Sequence, residues 1–151
     1  MKVLVTGSAG FIGSSLVMSL LSRGDEVVGV DNLNNYYDPS LKKDRLARHE
    51  KHENYAHIEM DIEDGEAVKS LFRENEFEGV VNLAAQAGVR YSIENPLAYV
   101  NTNIVGFTHI LEGCRHNNVK HLVYASSSSV YGANTSMPFS VHDNVDHPLS
   151  F

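Results

Sequence analysis

Cysteine is almost missing: Cys114 stands alone in 151 residues, so no disulfide can form within the chain. In "ILEGCRH" it reads as a small packed helix residue, and a chain without a disulfide framework fits a reducing cytoplasm better than secretion. Long apolar runs are missing as well. No segment approaches the roughly 18 apolar residues of a membrane span, and "MKVLVTG" lacks the apolar length of a signal peptide. A positive excess is also absent, because 12 Lys and Arg stand against 19 Asp and Glu, for a net charge of -7. That balance speaks against a nucleic-acid partner, which asks for a basic face. The eight histidines show no metal-like pairing on one helix face and read as surface, so no metal is expected. Internal repeats, low-complexity tracts and interdomain linkers are likewise absent.

What is present is an ordinary composition, 42% hydrophobic and 21% charged, in a chain long enough to bury a core. One globular domain is expected over residues 1–151. Short β-branched runs alternate with longer amphipathic stretches. "KVLVTG", "EVVGVD", "AHIEMD", "GVVNLAA" and "HLVYASS" read as five strands with little polar alternation, as in a parallel sheet covered on both faces. "FIGSSLVMSLLSRG" reads as a helix stopping at Gly24, and "EDGEAVKSLFREN" as one opened by acids. "PLAYVNTNIVGFTHILEGCRHNN" reads as one long helix starting at Pro96. The mixed-charge run Leu41 to Glu53 reads as a helix with a solvated face, with a regulatory or substrate-edge role as the alternative. The fold class is therefore α/β, a doubly wound parallel sheet of the Rossmann type. A six-stranded version needs at least one more helix and strand after the polar stretch that runs to Phe151, so the sheet is expected to be incomplete at its C-terminal end.

"TGSAGFIG" places Gly7, Gly10 and Gly13 three apart between the first strand and its helix. Gly7 permits the sharp turn, Gly10 lets backbone approach a pyrophosphate, and Gly13 allows close helix–strand packing. Amides at the start of the helix, around Phe11 and Ile12, then face phosphate charge. Asp31, followed by Asn32, closes the second strand about twenty residues on, where an acid accepts hydrogen bonds from an adenosine ribose; its charge disfavours a 2′-phosphate, which points to NAD over NADP. Asp61 and Ile62, past the third strand, sit at the carboxyl edge where ligands bind and are candidates to face the adenine, although an Asp there could equally cap the next helix. After Leu83, itself a cofactor-binding candidate, Ala84 and Ala85 end the fourth strand in small residues that let backbone come close to the cofactor, though small residues also pack sheets against helices.

Together "VTGSAGFIG", "VDNLNNYYD", "NLAAQAGVRYSIENP", "NTNIVGF" and "LVYASSSSVYGANTSMPFSVHDNVDHP" resemble the extended short-chain dehydrogenase/reductase superfamily of nucleotide-sugar enzymes, more narrowly its UDP-glucuronate 4-epimerase branch. The resemblance implies NAD as cofactor, a nucleotide-sugar substrate, and C4 epimerisation through a 4-keto sugar. It maps the superfamily's strand-end serine to Ser127, which would touch the 4-hydroxyl, and Thr102 to a position contacting the nicotinamide half of the cofactor. The superfamily's Tyr-x-x-x-Lys pair is not in this sequence, so the chain is expected to be the cofactor-binding, N-terminal part of such an enzyme and inactive alone. A UDP-glucose/UDP-galactose 4-epimerase and a non-catalytic NAD-binding module are the alternatives.

No Asp or Glu lies between Ala125 and Gly132, where dehydratases and decarboxylases of the superfamily carry an acid. Simple epimerisation is favoured. Ser128 and Ser129 are candidate holders of a uronate carboxylate, although serines here could equally cap the following turn. Arg90 could pair with an anionic substrate or bridge to Glu94. An incomplete sheet exposes apolar surface, so a cytoplasmic homo-oligomer is expected.

Overall fold

The computed structural model describes residues 1–147. Its centre is a five-stranded parallel sheet built from β1 (Lys2–Thr6), β2 (Glu26–Asp31), β3 (Tyr55–Glu59), β4 (Gly79–Asn82) and β5 (His121–Tyr124), in the order β3-β2-β1-β4-β5. The three inner strands carry the apolar runs, and register aligns them: Val5 of β1 lies beside Gly29 of β2 and Val81 of β4. Successive side chains leave a strand on opposite faces. Leu4, Val28, Val30 and Val80 therefore enter one core, with Val68, Leu71 and Phe72 of α3 (Gly65–Glu74) and Ile110 and Cys114 of α6 (Phe107–His116). Val3, Val5 and Val27 enter the other, against Val17, Leu20 and Leu21 of α1 (Phe11–Ser22). The result is a three-layer Rossmann sheet, as the strand composition predicts.

Helix boundaries follow local chemistry. Asp64 caps α3 by accepting from the amides of Glu66 and Ala67 at 3.1 and 3.0 Å. In α2 (Pro39–Ala47), Asp38 accepts from the Ser40 amide at 2.9 Å and Pro39 takes a first-turn place. This helix starts and stops earlier than the charge run suggests, and its solvated-face reading is corrected at Lys42, which is buried. His49, in the turn after α2, is also buried, against Tyr55 of β3, so the surface reading fails for that histidine.

The long helix predicted from Pro96 is a composite. A short α4 (Val89–Glu94) precedes it, Asn95 caps α5 (Pro96–Tyr99), and a π-helical segment, Val100–Gly106, links α5 to α6. Adjacent residues leave a helix in directions about 100° apart, and here Thr102 and Asn103 reach two different loops, those of Glu63 and Gln86. After β5, a 3-10 turn, Ser128–Tyr131, follows the serine run. Part of the predicted polar stretch, residues 148–151, lies outside the described residues.

Among the described residues no helix is long and apolar enough to cross a membrane, and no cluster of His, Cys, Asp and Glu has metal-binding geometry.

Candidate functional site

The carboxyl ends of β1, β2 and β4 open into one cavity of about 340 Å³. Its floor is the glycine loop. Gly7, at φ +68°, turns the chain in the left-handed region, and a side chain there would stand 2.9 Å from the Ala84 amide nitrogen. A methyl at Gly13 would stand 2.1 Å from the Gly7 carbonyl, so α1 meets the turn with backbone against backbone. At the start of α1, Gly10 supplies no side-chain cap, and the first turn contains no acid. The amides of Phe11, Ile12 and Gly13, which precede the first intrahelical bond (Ser14 amide to Gly10 carbonyl, 3.0 Å), are left without intrahelical partners and carry the positive end of the helix dipole.

Asp31 closes β2 and gathers three donors. One carboxylate oxygen accepts from the Leu33 amide at 2.9 Å and from the Lys42 ammonium at 3.1 Å; the other accepts from the Ala9 amide at 3.1 Å. Lys42 also reaches the Asn34 side-chain oxygen at 3.4 Å. One turn on, Arg45 sits over the Phe11 ring, 6.0 Å from its centroid, and reaches the Ala9 carbonyl at 3.5 Å. Spacing of three along α2 puts both cations on the face toward the glycine loop.

Beyond β3, Asp61 accepts from the Asn32 side-chain amide at 2.8 Å and from the Glu63 amide at 3.0 Å, while the Ile62 side chain is buried in the core. At the β4 end, Thr6 donates to the Asn82 side-chain oxygen at 2.7 Å and accepts from the amides of Leu83 and Ala84, both at 3.1 Å. Asn103 of the π segment clamps the same loop, accepting from the Gln86 amide at 2.8 Å and donating to its carbonyl at 3.0 Å. Thr102 turns the other way and donates its hydroxyl to Glu63, beside β3.

The structure thus brings together, around one cavity, Gly7, Gly10, Phe11, Ile12, Gly13, Asp31, Asn32, Asp61, Ile62, Leu83, Ala84, Ala85 and Thr102. Arg90 and the serines are not among its walls. Arg90 is exposed on α4. Ser127 is the cap of the 3-10 turn: its hydroxyl oxygen accepts from the Ser129 amide at 3.2 Å and donates to the Ser129 hydroxyl at 3.1 Å. Ser127, Ser128 and Ser129 are all exposed.

Sequence reasoning missed Lys42, Arg45, Asn103 and two tyrosines of the cavity wall, Tyr36 and Tyr37. Lys42 and Arg45 had a helical spacing that could have flagged them as one face. Nothing local distinguished the others. The phenol of Tyr36 is pushed above its ordinary range, first by desolvation and then by Tyr99, Tyr37 and Tyr91, so it stays a neutral hydroxyl.

With that geometry in hand, known proteins supply a context. The family described as GDP-mannose 4,6 dehydratase matches residues 4–150. Protein CapI of Staphylococcus aureus is 57% identical over 150 residues, which is 99% of this chain and 45% of that protein. UDP-glucuronate 4-epimerase 3 of Arabidopsis thaliana is 52% identical over 99% of this chain and 35% of its own length. The solved structure of UDP-glucuronic acid 4-epimerase from Bacillus cereus, in complex with UDP-glucuronic acid and NAD, superposes with a TM-score of 0.88 at 34% identity, over 99% of this chain and 47% of that one. The chain spans less than half the length of these relatives. The profile match over nearly all of its residues shows that the chain belongs to the GDP-mannose 4,6 dehydratase family.

Proposed function

We propose that this chain binds NAD and forms the cofactor-holding part of a nucleotide-sugar 4-epimerase that interconverts UDP-glucuronate and UDP-galacturonate. The observation that carries the reading is the uncapped start of α1, opening into a cavity whose far wall holds Asp31 and Lys42. Unpartnered amides at a helix N-terminus suit a pyrophosphate. Asp31 has roughly four acceptor sites, of which three are taken, and Lys42 keeps a proton to spare, so the pair can both accept from and donate to ribose hydroxyls. The Lys42 charge offsets that of Asp31, so rejection of a 2′-phosphate rests on this filled, buried site rather than on charge repulsion alone. Asp61 and Ile62 sit where an adenine would end, and Leu83, Ala84 and Ala85 let the cofactor approach β4. Bound NAD supplies a group that takes up a hydride and returns it.

The likeness to UDP-glucuronate epimerases supports the choice of sugar. Ser127 then positions the 4-hydroxyl, Ser128 and Ser129 hold the uronate carboxylate, and Arg90 meets substrate charge. No Tyr-x-x-x-Lys pair stands in these 151 residues, so we expect binding without epimerisation from this chain alone. Calorimetric titration of the folded chain with NAD tests the reading, and absence of heat together with no thermal shift overturns it. For the sugar, UDP-glucuronate and UDP-glucose are compared in a protein of the relatives' length carrying this sequence. There, Ser129→Ala with unchanged uronate affinity and no CO2 release removes the carboxylate role.

Self-association belongs to the same reading. Ile93, Leu97, Val100, Ile104 and Leu111 are exposed along α4, α5, the π segment and α6, apolar surface suited to a second copy in a cytoplasmic homo-oligomer. Light scattering at high concentration decides it: a clean monomer counts against the proposal.

A further inference from the structure

Because β2 and β4 flank β1 in the sheet, the loops leaving their carboxyl ends stand on either side of the glycine loop. Two such loops have no covalent reason to meet. Here they do, through tyrosine. Tyr36, from the β2 loop, packs its ring 5.1 Å from that of Tyr91 on α4, beyond the β4 loop, with Tyr37 4.7 Å behind it.

The seat for Tyr36 is built from the β4 side. Gly88 has φ +98°, and a side chain there would stand 2.3 Å from the Tyr36 hydroxyl, so only glycine leaves the phenol its place. The Tyr99 hydroxyl donates to the Ala87 carbonyl at 2.8 Å and to the Gly88 carbonyl, holding that backbone in position. On the other bank, the Tyr36 amide donates to the Asn34 side-chain oxygen at 3.3 Å. Tyr36, Tyr37 and Ala87 all line the cavity.

We infer that the Tyr36–Tyr91 contact is a strap across the mouth of the cavity, which parts to let a dinucleotide in or out and holds it once closed. The inference rests on the cofactor reading above. It adds a kinetic role to residues that contribute no charge to binding. An aromatic pair between two loops is a weak tie, able to keep them together most of the time while opening on the timescale of loop motion.

Stopped-flow measurement of NADH fluorescence tests it. Tyr36→Ala is expected to raise the association and dissociation rates together, each by about tenfold, within the one to three decades over which association rates vary among related variants. Tyr36→Phe keeps the ring and should keep the parent rates. Gly88→Ala should reproduce Tyr36→Ala, because its methyl displaces the phenol. A Tyr36→Ala variant that speeds dissociation alone overturns the strap, leaving the ring a simple contact. Hydrogen exchange supplies a readout free of ligand: the strap requires Tyr36→Ala to speed exchange in both loops, residues 33–38 and 86–91, whereas a change confined to the first overturns it. If the parent chain binds no NADH, the cofactor site fails, and exchange alone then decides whether the loops are strapped.

Discussion

Lys42 holds its ammonium 3.1 Å from the Asp31 carboxylate, with 9% and 6% of the two side chains exposed. Through the Ala9 amide on the same carboxylate, β2, α2 and the glycine loop converge on one residue. Breaking a buried pair by removing one partner leaves the other charged and desolvated, at a cost of about 3–5 kcal/mol. Lys42→Met is therefore expected to lower unfolding stability by that order in urea titrations. The double variant Asp31→Asn/Lys42→Met should recover much of the loss, because neither charge is then stranded.

Gly13 and Gly10 make a graded pair. A methyl at Gly13 falls 2.1 Å from the Gly7 carbonyl, and one at Gly10 falls 3.0 Å from the same atom. Backbone cannot yield as a flexible side chain does, and overpacking of this kind costs about 1–3 kcal/mol. Thermal denaturation should show Gly13→Ala clearly less stable than Gly10→Ala. Similar melting temperatures for the two would refute the backbone contact.

Acid should loosen the α2–β3 edge. His49 packs edge-on against Tyr55, centroids 4.5 Å apart, and neither of its ring nitrogens has a hydrogen-bond partner among the described residues. Its pKa is lowered from 6.5, first by desolvation and then by Arg48 and His57, with Glu50 opposing; His57 is lowered mainly by desolvation. A histidine depressed in the fold takes its proton more readily when unfolded. Stability is then full above the unfolded pKa near 6.5 and falls as pH drops from there through the depressed folded value. Melting temperature against pH should slope downward below about 6.5, and His49→Phe should reduce that slope.

Cys114 should be silent. Burial raises its thiol pKa to about 11, and no cation lies among the causes of that shift. Thiolate is the reactive form, so a disulfide-exchange reagent at mildly alkaline pH should label the folded chain very slowly and the urea-unfolded chain at once. Rapid labelling of the native protein would contradict the packing around α6.

The glycine loop was legible because its chemistry is local: Gly7, Gly10 and Gly13 lie within seven residues, between a recognisable strand and helix. Asp31 was legible for the same reason, standing at the end of an apolar run. Lys42 was not. In sequence it is one cation in a mixed run, and its partner is set by how α2 packs beside β2. His49 was misread as surface because nothing near it in sequence announces Tyr55. Thr102 and Asn103 are neighbours in a helical stretch that does not announce their partners, Glu63 for one and Gln86 for the other, which come from loops distant in sequence.

Periodicity and composition by themselves determined the alternation of strand and helix, the parallel sheet and the place of the phosphate-facing turn, since each depends on interactions within a few residues. Which polar groups meet over that turn was decided only by tertiary structure. Side chains from α2, the β2 loop, the β4 loop and the π segment arrive there from four separate parts of the chain, and their pairing depends on sheet order and helix packing, which distance along the sequence does not encode.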